Sequence, residues 1–106
     1  MGYAPTMTQI EILMFLFDND YSLIMKSASI QDINEGLTYD NTRSAPSDTA
    51  IRNAVDTLLY YGLVSCGMKI GTKYTFYITE KGSTFLAQAQ GKTLKELIKE
   101  RDSAKK

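Results

Sequence analysis

The sequence predicts an α+β domain that is mostly helical and carries one β-hairpin. Apolar residues between positions 47 and 61 recur with the spacing of a helix that is buried on one side. Residues 64–78 then alternate apolar and polar side chains around a glycine-containing turn, which indicates a hairpin. Two further segments, 8–17 and 80–90, combine capping residues with apolar positions and predict additional helices.

Length and composition limit the class of protein. A chain of 106 residues is expected to form one domain with its own core. One cysteine and no histidine exclude a disulfide framework, a zinc finger and imidazole-based catalysis. No apolar run is long enough to span a membrane and no signal peptide opens the chain, so we expect a cytoplasmic protein without a membrane partner.

The charge of the chain is balanced overall but unevenly distributed. Lysine and arginine number 12, as do aspartate and glutamate. Residues 1–42 hold one cation and six carboxylates, whereas residues 43–106 hold eleven cations and six carboxylates. The second part of the chain can therefore present a basic face, although part of this surplus belongs to a solvated C-terminal tail.

The first two helices are predicted from their capping residues. Thr8 and Glu11 match a capping box, and the apolar run that follows predicts a helix buried on several sides. Residues 21–26 are either extended or a continuation into the next helix. Ser29 is predicted to cap a short second helix that ends near Gly36, followed by a polar loop over residues 38–46.

The third helix is the most clearly defined element and is predicted over residues 47–61. Ser47 is its expected N-cap, and Gly62 supplies the left-handed conformation that a helix end requires. One face is apolar, with Ile51, Ala54, Val55, Leu58 and Leu59, and the opposite face carries Thr49, Arg52, Asn53, Asp56 and Tyr60.

The hairpin register is predicted from its apolar residues. A three-residue loop at 71–73 places all of them on one face, whereas a two-residue turn at 71–72 mixes the faces. Cys66 is accordingly interpreted as a small buried hydrophobe. The loop at 71–73 predicts the pairs Ile70–Tyr74, Met68–Phe76 and Cys66–Ile78, and a polar face with Lys69, Thr75 and Tyr77.

Two helices are predicted after the hairpin. Thr79 begins the first of them, and Gly91 ends it. Thr93 and Glu96 match a capping box that opens the second. Its narrow apolar seam can pack on its own domain or on a second copy of the chain, and it consists of Leu94, Leu97 and Ile98.

Two motifs resemble a known superfamily. Residues 50–64 (AIRNAVDTLLYYGLV) resemble the recognition helix and exit of winged helix-turn-helix regulators, and residues 77–82 (YITEKG) resemble the exit of their wing. The chain is similar to the MarR-like and PadR-like small transcriptional regulators over roughly residues 8–90. The resemblance implies an N-terminal arm at 1–7, a three-helix core with a β-hairpin wing at 8–90, and a C-terminal helix at 91–106.

The resemblance also implies a function. Proteins of this kind are repressors that bind double-stranded DNA as homodimers, and their terminal helices, here with Leu94, Leu97 and Ile98, build the dimer. Arg52 is the candidate for a bidentate contact with guanine and Asn53 for one with adenine. The candidates for contacts with the DNA backbone are Arg43, Ser44, Ser47 and Thr49 around the helix start, and Lys69, Thr72 and Lys73 in the wing at 69–75.

Two other interpretations compete with DNA binding. Asp48 and Asp56 lie four residues on either side of Arg52, so this arginine could be paired within its own helix. Alternatively, the domain is a protein–protein assembly module in which Tyr60, Tyr61 and Tyr77 are contact aromatics.

No enzymatic activity is expected from the sequence. Residues 67–73 contain a Gly-Thr-Lys, but the spacing is wrong for a phosphate-binding loop. No carboxylate pair or nucleophile with a candidate base stands out. No cofactor and no metal ion are predicted, and whether a small-molecule effector binds is left open.

Overall fold

The computed structural model describes residues 5–40 and 47–104 of the chain. Within these residues, five helices accompany a small antiparallel sheet of three strands. The predicted α+β class, mostly helical and with a β-hairpin, is confirmed. The helices are α1 (Met7–Asp18), α2 (Ile30–Asp40), α3 (Asp48–Tyr60), α4 (Glu80–Ala89) and α5 (Leu94–Ala104), and the strands are β1 (Ala28–Ser29), β2 (Val64–Cys66) and β3 (Thr75–Ile78).

One core unites these elements. Helices α1, α2 and α3 pack against one another, the sheet covers them on one side, and α4 lies against α1 and β3. The apolar face predicted for α3 is buried except for Leu59, which is only partly buried, and α1 is buried on several sides as expected. The buried apolar side chains are Ile12, Leu13, Leu16, Phe17, Ala28, Ile33, Leu37, Ile51, Ala54, Val55, Leu58, Leu63, Val64, Phe76, Ile78, Leu86, Ala87 and Leu97.

Strand β3 occupies the centre of the sheet, in the order β1-β3-β2. The strand that pairs with the hairpin is Ala28–Ser29, just after the segment 21–26 that the sequence left open. That segment is neither a strand nor a helix. Leu23 and Lys26 instead close a tight turn, with the Lys26 amide donating to the Leu23 carbonyl at 3.0 Å.

The hairpin register predicted from the sequence is wrong by two residues, since Cys66 pairs with Phe76 rather than with Ile78. The tip is the two-residue turn that the apolar pattern disfavoured: Ile70 and Lys73 pair directly, and Gly71 has a φ of 62°. Because glycine adopts this conformation without strain, it fits the first position of a type II′ turn.

Hydrogen bonds at the base of the hairpin account for the observed register. Thr75, which the sequence placed on a polar exposed face, is only 2% exposed. Its hydroxyl donates to the Met68 carbonyl and accepts a hydrogen bond from Ser27 Oγ at 2.7 Å. Cys66 is exposed, which corrects the prediction that it is buried. Because a shift of two residues keeps every side chain on its face, the alternation of apolar residues still holds in β2 and β3, and the hydrogen bonds of Thr75 select between the two registers.

The N-terminal capping box of α1 lies two residues earlier than predicted. Thr6 Oγ1 accepts from the Gln9 amide at 3.2 Å, and Gln9 Oε1 accepts from the Thr6 amide at 3.1 Å. Thr8 and Glu11 have the same spacing but lie inside the helix. The predicted caps of the other helices are confirmed, and they are Ser29, Ser47, Thr79 and Thr93.

Helix α2 does not end near Gly36 but continues to Asp40. Gly36 allows α2 to approach α1 closely, because a Cβ at this position would lie 2.1 Å from Cε1 of Phe15. The glycine therefore serves helix packing rather than helix termination.

The C-terminal helix α5 packs on its own domain. Leu97 is 6% exposed and belongs to the core, Leu94 packs against it, and Ile98 remains 36% exposed. The Arg101 guanidinium lies 4.7 Å from the ring centroid of Phe17. At the start of the helix, hydrogen bonds from the Thr93 backbone amide and hydroxyl hold the pKa of the Glu96 carboxyl below its usual value.

Residues 5–40 and 47–104 contain neither a candidate membrane-spanning helix nor a candidate metal site. None of the helices in these ranges is both long and apolar enough to cross a membrane. Nor do these residues contain a group of three or more histidine, cysteine, aspartate or glutamate side chains that could hold a metal ion.

Candidate nucleic-acid interface

Helix α3 presents the polar face that its periodicity predicts. Ser47 Oγ accepts from the Ala50 amide at 3.2 Å and so begins the helix. At the other end, Gly62 has a φ of 74° and turns the chain towards β2. The side chains of Thr49, Arg52, Asn53, Asp56 and Tyr60 are all exposed on the side away from the core.

A groove of about 560 Å³ lies between α3, the start of α2 and the hairpin tip (residues 69–75). Helix α3 forms one wall and the hairpin tip forms the other, so two elements distant in sequence face the same space. We call it the α3–hairpin groove. Its lining residues are Ser29, Ile30, Gln31, Asp48, Arg52, Val55, Asp56, Thr72, Lys73, Tyr74 and Phe76.

Arg52 lines this groove without forming the ion pairs that its spacing from Asp48 and Asp56 allows. Among residues 5–40 and 47–104, Arg52 forms no salt bridge with Asp48 or Asp56. Asp48 is instead bonded to the neighbouring helix, because Asn34 Nδ2 donates to Asp48 Oδ1 at 2.6 Å. The pairing within α3 that the spacing allowed is therefore not formed, and Arg52 is available to a ligand.

The two lysines of the hairpin tip have different surroundings. Lys73 Nζ donates to Gln31 Oε1 at 3.0 Å and ties the tip to the start of α2. Lys69 Nζ lies 4.9 Å from the ring centroid of Tyr74, in a cation–π contact. The structure thus brings Lys73, Thr72 and Arg52 into one groove, whereas Lys69 does not line it.

The remaining predicted residues are distributed more widely. Arg43 and Ser44 lie outside the residues that the structure describes. Asn53 is exposed on α3 but does not line the groove, and the seam residues Leu94, Leu97 and Ile98 lie on α5, away from it.

The sequence missed Gln31 and Asn34 as residues that shape the site. Both lie on α2, and they contact Lys73 and Asp48 across 42 and 14 residues of chain, respectively. No local pattern in the sequence marks them, because their role depends on how α2 docks beside α3 and the hairpin.

The groove has a mixed charge rather than a uniformly basic one. Its lining includes two cations, Arg52 and Lys73, and two carboxylates, Asp48 and Asp56. A polyanion would therefore be attracted at particular points and repelled at others. Such a surface favours a ligand that fits the positions of the two cations over one that responds only to net charge.

Comparisons with known proteins bear on the fold. No protein-family model and no curated protein sequence matches the chain. Among solved structures, TubR from Bacillus megaterium pBM400 is similar with a TM-score of 0.60 and 20% identity, over 79% of this chain and 84% of that chain. SSV1 F-93 is similar with a TM-score of 0.57 and 19% identity, over 99% of this chain and 98% of that chain.

These likenesses confirm the predicted winged helix-turn-helix fold. They do not single out the MarR-like or PadR-like branch that the two sequence motifs suggested. In this fold α3 is the third helix of the helical core, and the hairpin between β2 and β3 is the wing.

Proposed function

We propose that the protein is a small transcriptional regulator that binds double-stranded DNA. The observation that carries this proposal is an exposed recognition helix whose Arg52 has no salt-bridge partner among the described residues and faces a groove closed by a basic hairpin tip. A helix of this kind fits the major groove of B-DNA, which displays a distinct donor and acceptor pattern for every base pair.

The proposed contacts divide into base readout and backbone positioning. Arg52 reads guanine through both arms of its guanidinium, and Asn53, one position further along the exposed face, reads adenine. Ser47 and Thr49 at the start of α3 hold a phosphate, together with Arg43 and Ser44. Lys69, Thr72 and Lys73 follow the backbone where the hairpin tip passes beside the minor groove.

Selection of duplexes from a random pool, repeated at two salt concentrations, tests this function. A protein that neutralises phosphates releases counterions, so its affinity falls with salt by a slope of about −0.9 per neutralised phosphate. We expect an enriched sequence and a clear salt slope. A pool without enrichment and an affinity that does not respond to salt would contradict duplex binding.

The double variant Lys69→Ala/Lys73→Ala is expected to flatten the salt slope of DNA binding by about two units, because each lysine neutralises about one phosphate. Lys73 must leave Gln31 to do so, and Lys69 must leave Tyr74, which is feasible because both lysines are exposed. Fluorescence anisotropy over a series of salt concentrations measures the slope.

The matched control for this pair is Lys95→Ala/Lys99→Ala, which removes the same charge from exposed positions of α5. We expect the control to keep the slope of the unmodified protein. If both double variants flatten the slope equally, general charge rather than the hairpin tip attracts the DNA.

We further propose that the protein acts as a homodimeric repressor in the cytoplasm. Because Leu97 is already part of its own core, the α5 surface left for a second copy is centred on Ile98. Ile98→Asp is expected to convert a dimer into a monomer in sedimentation velocity, whereas Ser103→Asp, an exposed position of the same helix, leaves the dimer intact. A dimer that persists in Ile98→Asp would place the interface elsewhere.

A protein–protein assembly module is the second candidate function. It is favoured by Tyr60, which is 82% exposed at the end of α3 and packs edge-on against Tyr61 with ring centroids 5.0 Å apart. Aromatic side chains of this kind are enriched in protein interfaces. The salt series separates the two functions, because a protein partner bound through tyrosines would not produce the steep slope expected for DNA.

A further inference from the structure

The hairpin tip carries a large aliphatic side chain that the fold does not cover. Ile70 is 67% exposed although it lies next to the turn of a short hairpin. It forms a reciprocal backbone pair with Lys73, in which each amide donates to the other carbonyl at 2.9 Å. Side chains of directly paired residues lie on the same face of a hairpin. The apolar side chain of Ile70 therefore lies on the same face of the hairpin as the side chain of Lys73.

The base of the hairpin is rigidly anchored. The Gly67 amide donates to the Thr75 carbonyl at 2.8 Å, and the Met68 amide donates to the Ile24 carbonyl at 3.1 Å. Gly67 is packed so closely that a Cβ would lie 2.2 Å from Ser27 Oγ. The buried Thr75 hydroxyl also forms two hydrogen bonds, one with Ser27 and one with Met68. These contacts fix the residues that lead to Ile70 against the rest of the domain.

The tip also lies on the side of the domain that is proposed to face DNA. In the free protein Lys73 Nζ donates to Gln31 Oε1 at 3.0 Å, and Lys73 lines the α3–hairpin groove together with Arg52. A duplex whose major groove receives α3 therefore meets the hairpin tip at the neighbouring minor groove. There Ile70 would be pressed against the stacked base pairs, with Lys69 and Lys73 on either side of it in sequence.

Resting on the DNA-binding function proposed above, we propose that Ile70 is a wedge that enters the minor groove, partly unstacks one base step and bends the duplex. Aliphatic side chains inserted in this way bend DNA towards the major groove, by about 20–90°. The minor groove is only about 6 Å wide, so a two-residue turn with one protruding side chain is of a suitable size. The lysines on either side neutralise the phosphates that approach each other as the groove deforms.

This role adds a determinant of specificity that needs no hydrogen bond to a base. Pyrimidine–purine steps such as TA and CA unstack more readily than other steps. The position of the wedge should therefore select such a step, at a fixed distance from the base pairs read by Arg52. The alternative is that Ile70 contacts an apolar surface of a partner protein. The neighbouring lysines and the adjacent helix α3 favour a polyanion instead.

Fluorescence energy transfer between dyes at the two ends of a selected duplex tests the wedge. The unmodified protein is expected to shorten the end-to-end distance, and Ile70→Ser is expected to lose most of this change while keeping the salt slope of binding. The selected pyrimidine–purine step should also lose its preference in Ile70→Ser. Because Ile70 is exposed, the thermal melting curve of the variant should match that of the unmodified protein.

The control is Leu23→Ser, which removes a side chain of similar exposure, 63%, from the turn at 23–26 outside the hairpin. We expect the control to bend the duplex like the unmodified protein. A bound duplex that stays straight, or a bend that is unchanged in Ile70→Ser or equally lost in Leu23→Ser, overturns the wedge and leaves DNA binding standing. Absence of duplex binding at low salt would overturn the proposed function and the wedge together.

Discussion

A Gly82→Ala variant is expected to lose about 2–3 kcal/mol of unfolding free energy, because the added methyl group collides with backbone. Gly82 is buried in the first turn of α4, and a Cβ there would lie 2.0 Å from the Leu63 carbonyl oxygen. That oxygen accepts a hydrogen bond from the Thr79 amide at 3.0 Å, so it is not free to move. Urea denaturation is the measurement, with the midpoint expected to fall by about 1–2 M.

The control for this variant is Thr84→Ala, at an exposed position of the same helix. Alanine favours a helix over threonine by a few tenths of a kcal/mol, so this change should be neutral or slightly stabilising. The loss of unfolding free energy in Gly36→Ala should lie between those of the other two variants, because the Cβ at this position meets the ring of Phe15, a side chain that can turn. An unchanged midpoint in Gly82→Ala would mean that α4 can move away from β2 without loss.

Gly82 also explains why the two sequence motifs occur together. Residues 50–64 and 77–82 meet in space: Thr79 Oγ1 donates to the Gly62 carbonyl at 2.7 Å, and the Leu63 carbonyl lies against Gly82. The junction between α3 and β2 is thereby fixed to the junction between β3 and α4. This contact sets the direction of α3 relative to the hairpin, and so connects the stability of the domain with the geometry of its proposed DNA face.

Features that depend on near neighbours in sequence were predicted from the sequence. The caps Ser47, Thr79 and Thr93 each bond an amide three residues ahead, so the pattern of a single turn identifies them. The buried and exposed faces of α3 follow from the 3.6-residue period. Where two patterns have the same spacing, as at Thr6 and Thr8, the sequence offers no basis for choosing between them.

Features that depend on distant contacts could not be predicted. The hairpin register is determined at Thr75, whose hydroxyl is bonded to Ser27 across 48 residues of chain. The candidate site shows the same division. The exposure of Arg52 follows from its place on α3, but the hydrogen bond that Asp48 accepts from Asn34 exists only because α2 docks beside α3. Local chemistry thus predicts which residues face outwards, and tertiary packing decides which of them are available to contact a ligand.

An Arg52→Ala variant is expected to lose roughly 10- to 100-fold of its preference for the selected duplex over random DNA, since a bidentate guanine contact contributes about 1–3 kcal/mol of discrimination. The affinity for random DNA should fall by a smaller factor, because only one charge is removed. Competition binding of the selected and a scrambled duplex, at one fixed salt concentration, measures the ratio.

Two further variants separate the charge of Arg52 from its shape. Arg52→Lys keeps the cation but lacks the planar fork, so it should retain the affinity for random DNA and still lose most of the preference. Lys95→Ala removes one charge from the exposed surface of α5 and should leave the preference unchanged. Because Arg52 lines the groove without an ion pair to Asp48 or Asp56, its replacement should not alter stability. A preference that survives in both Arg52→Ala and Arg52→Lys would show that another residue reads the base pairs.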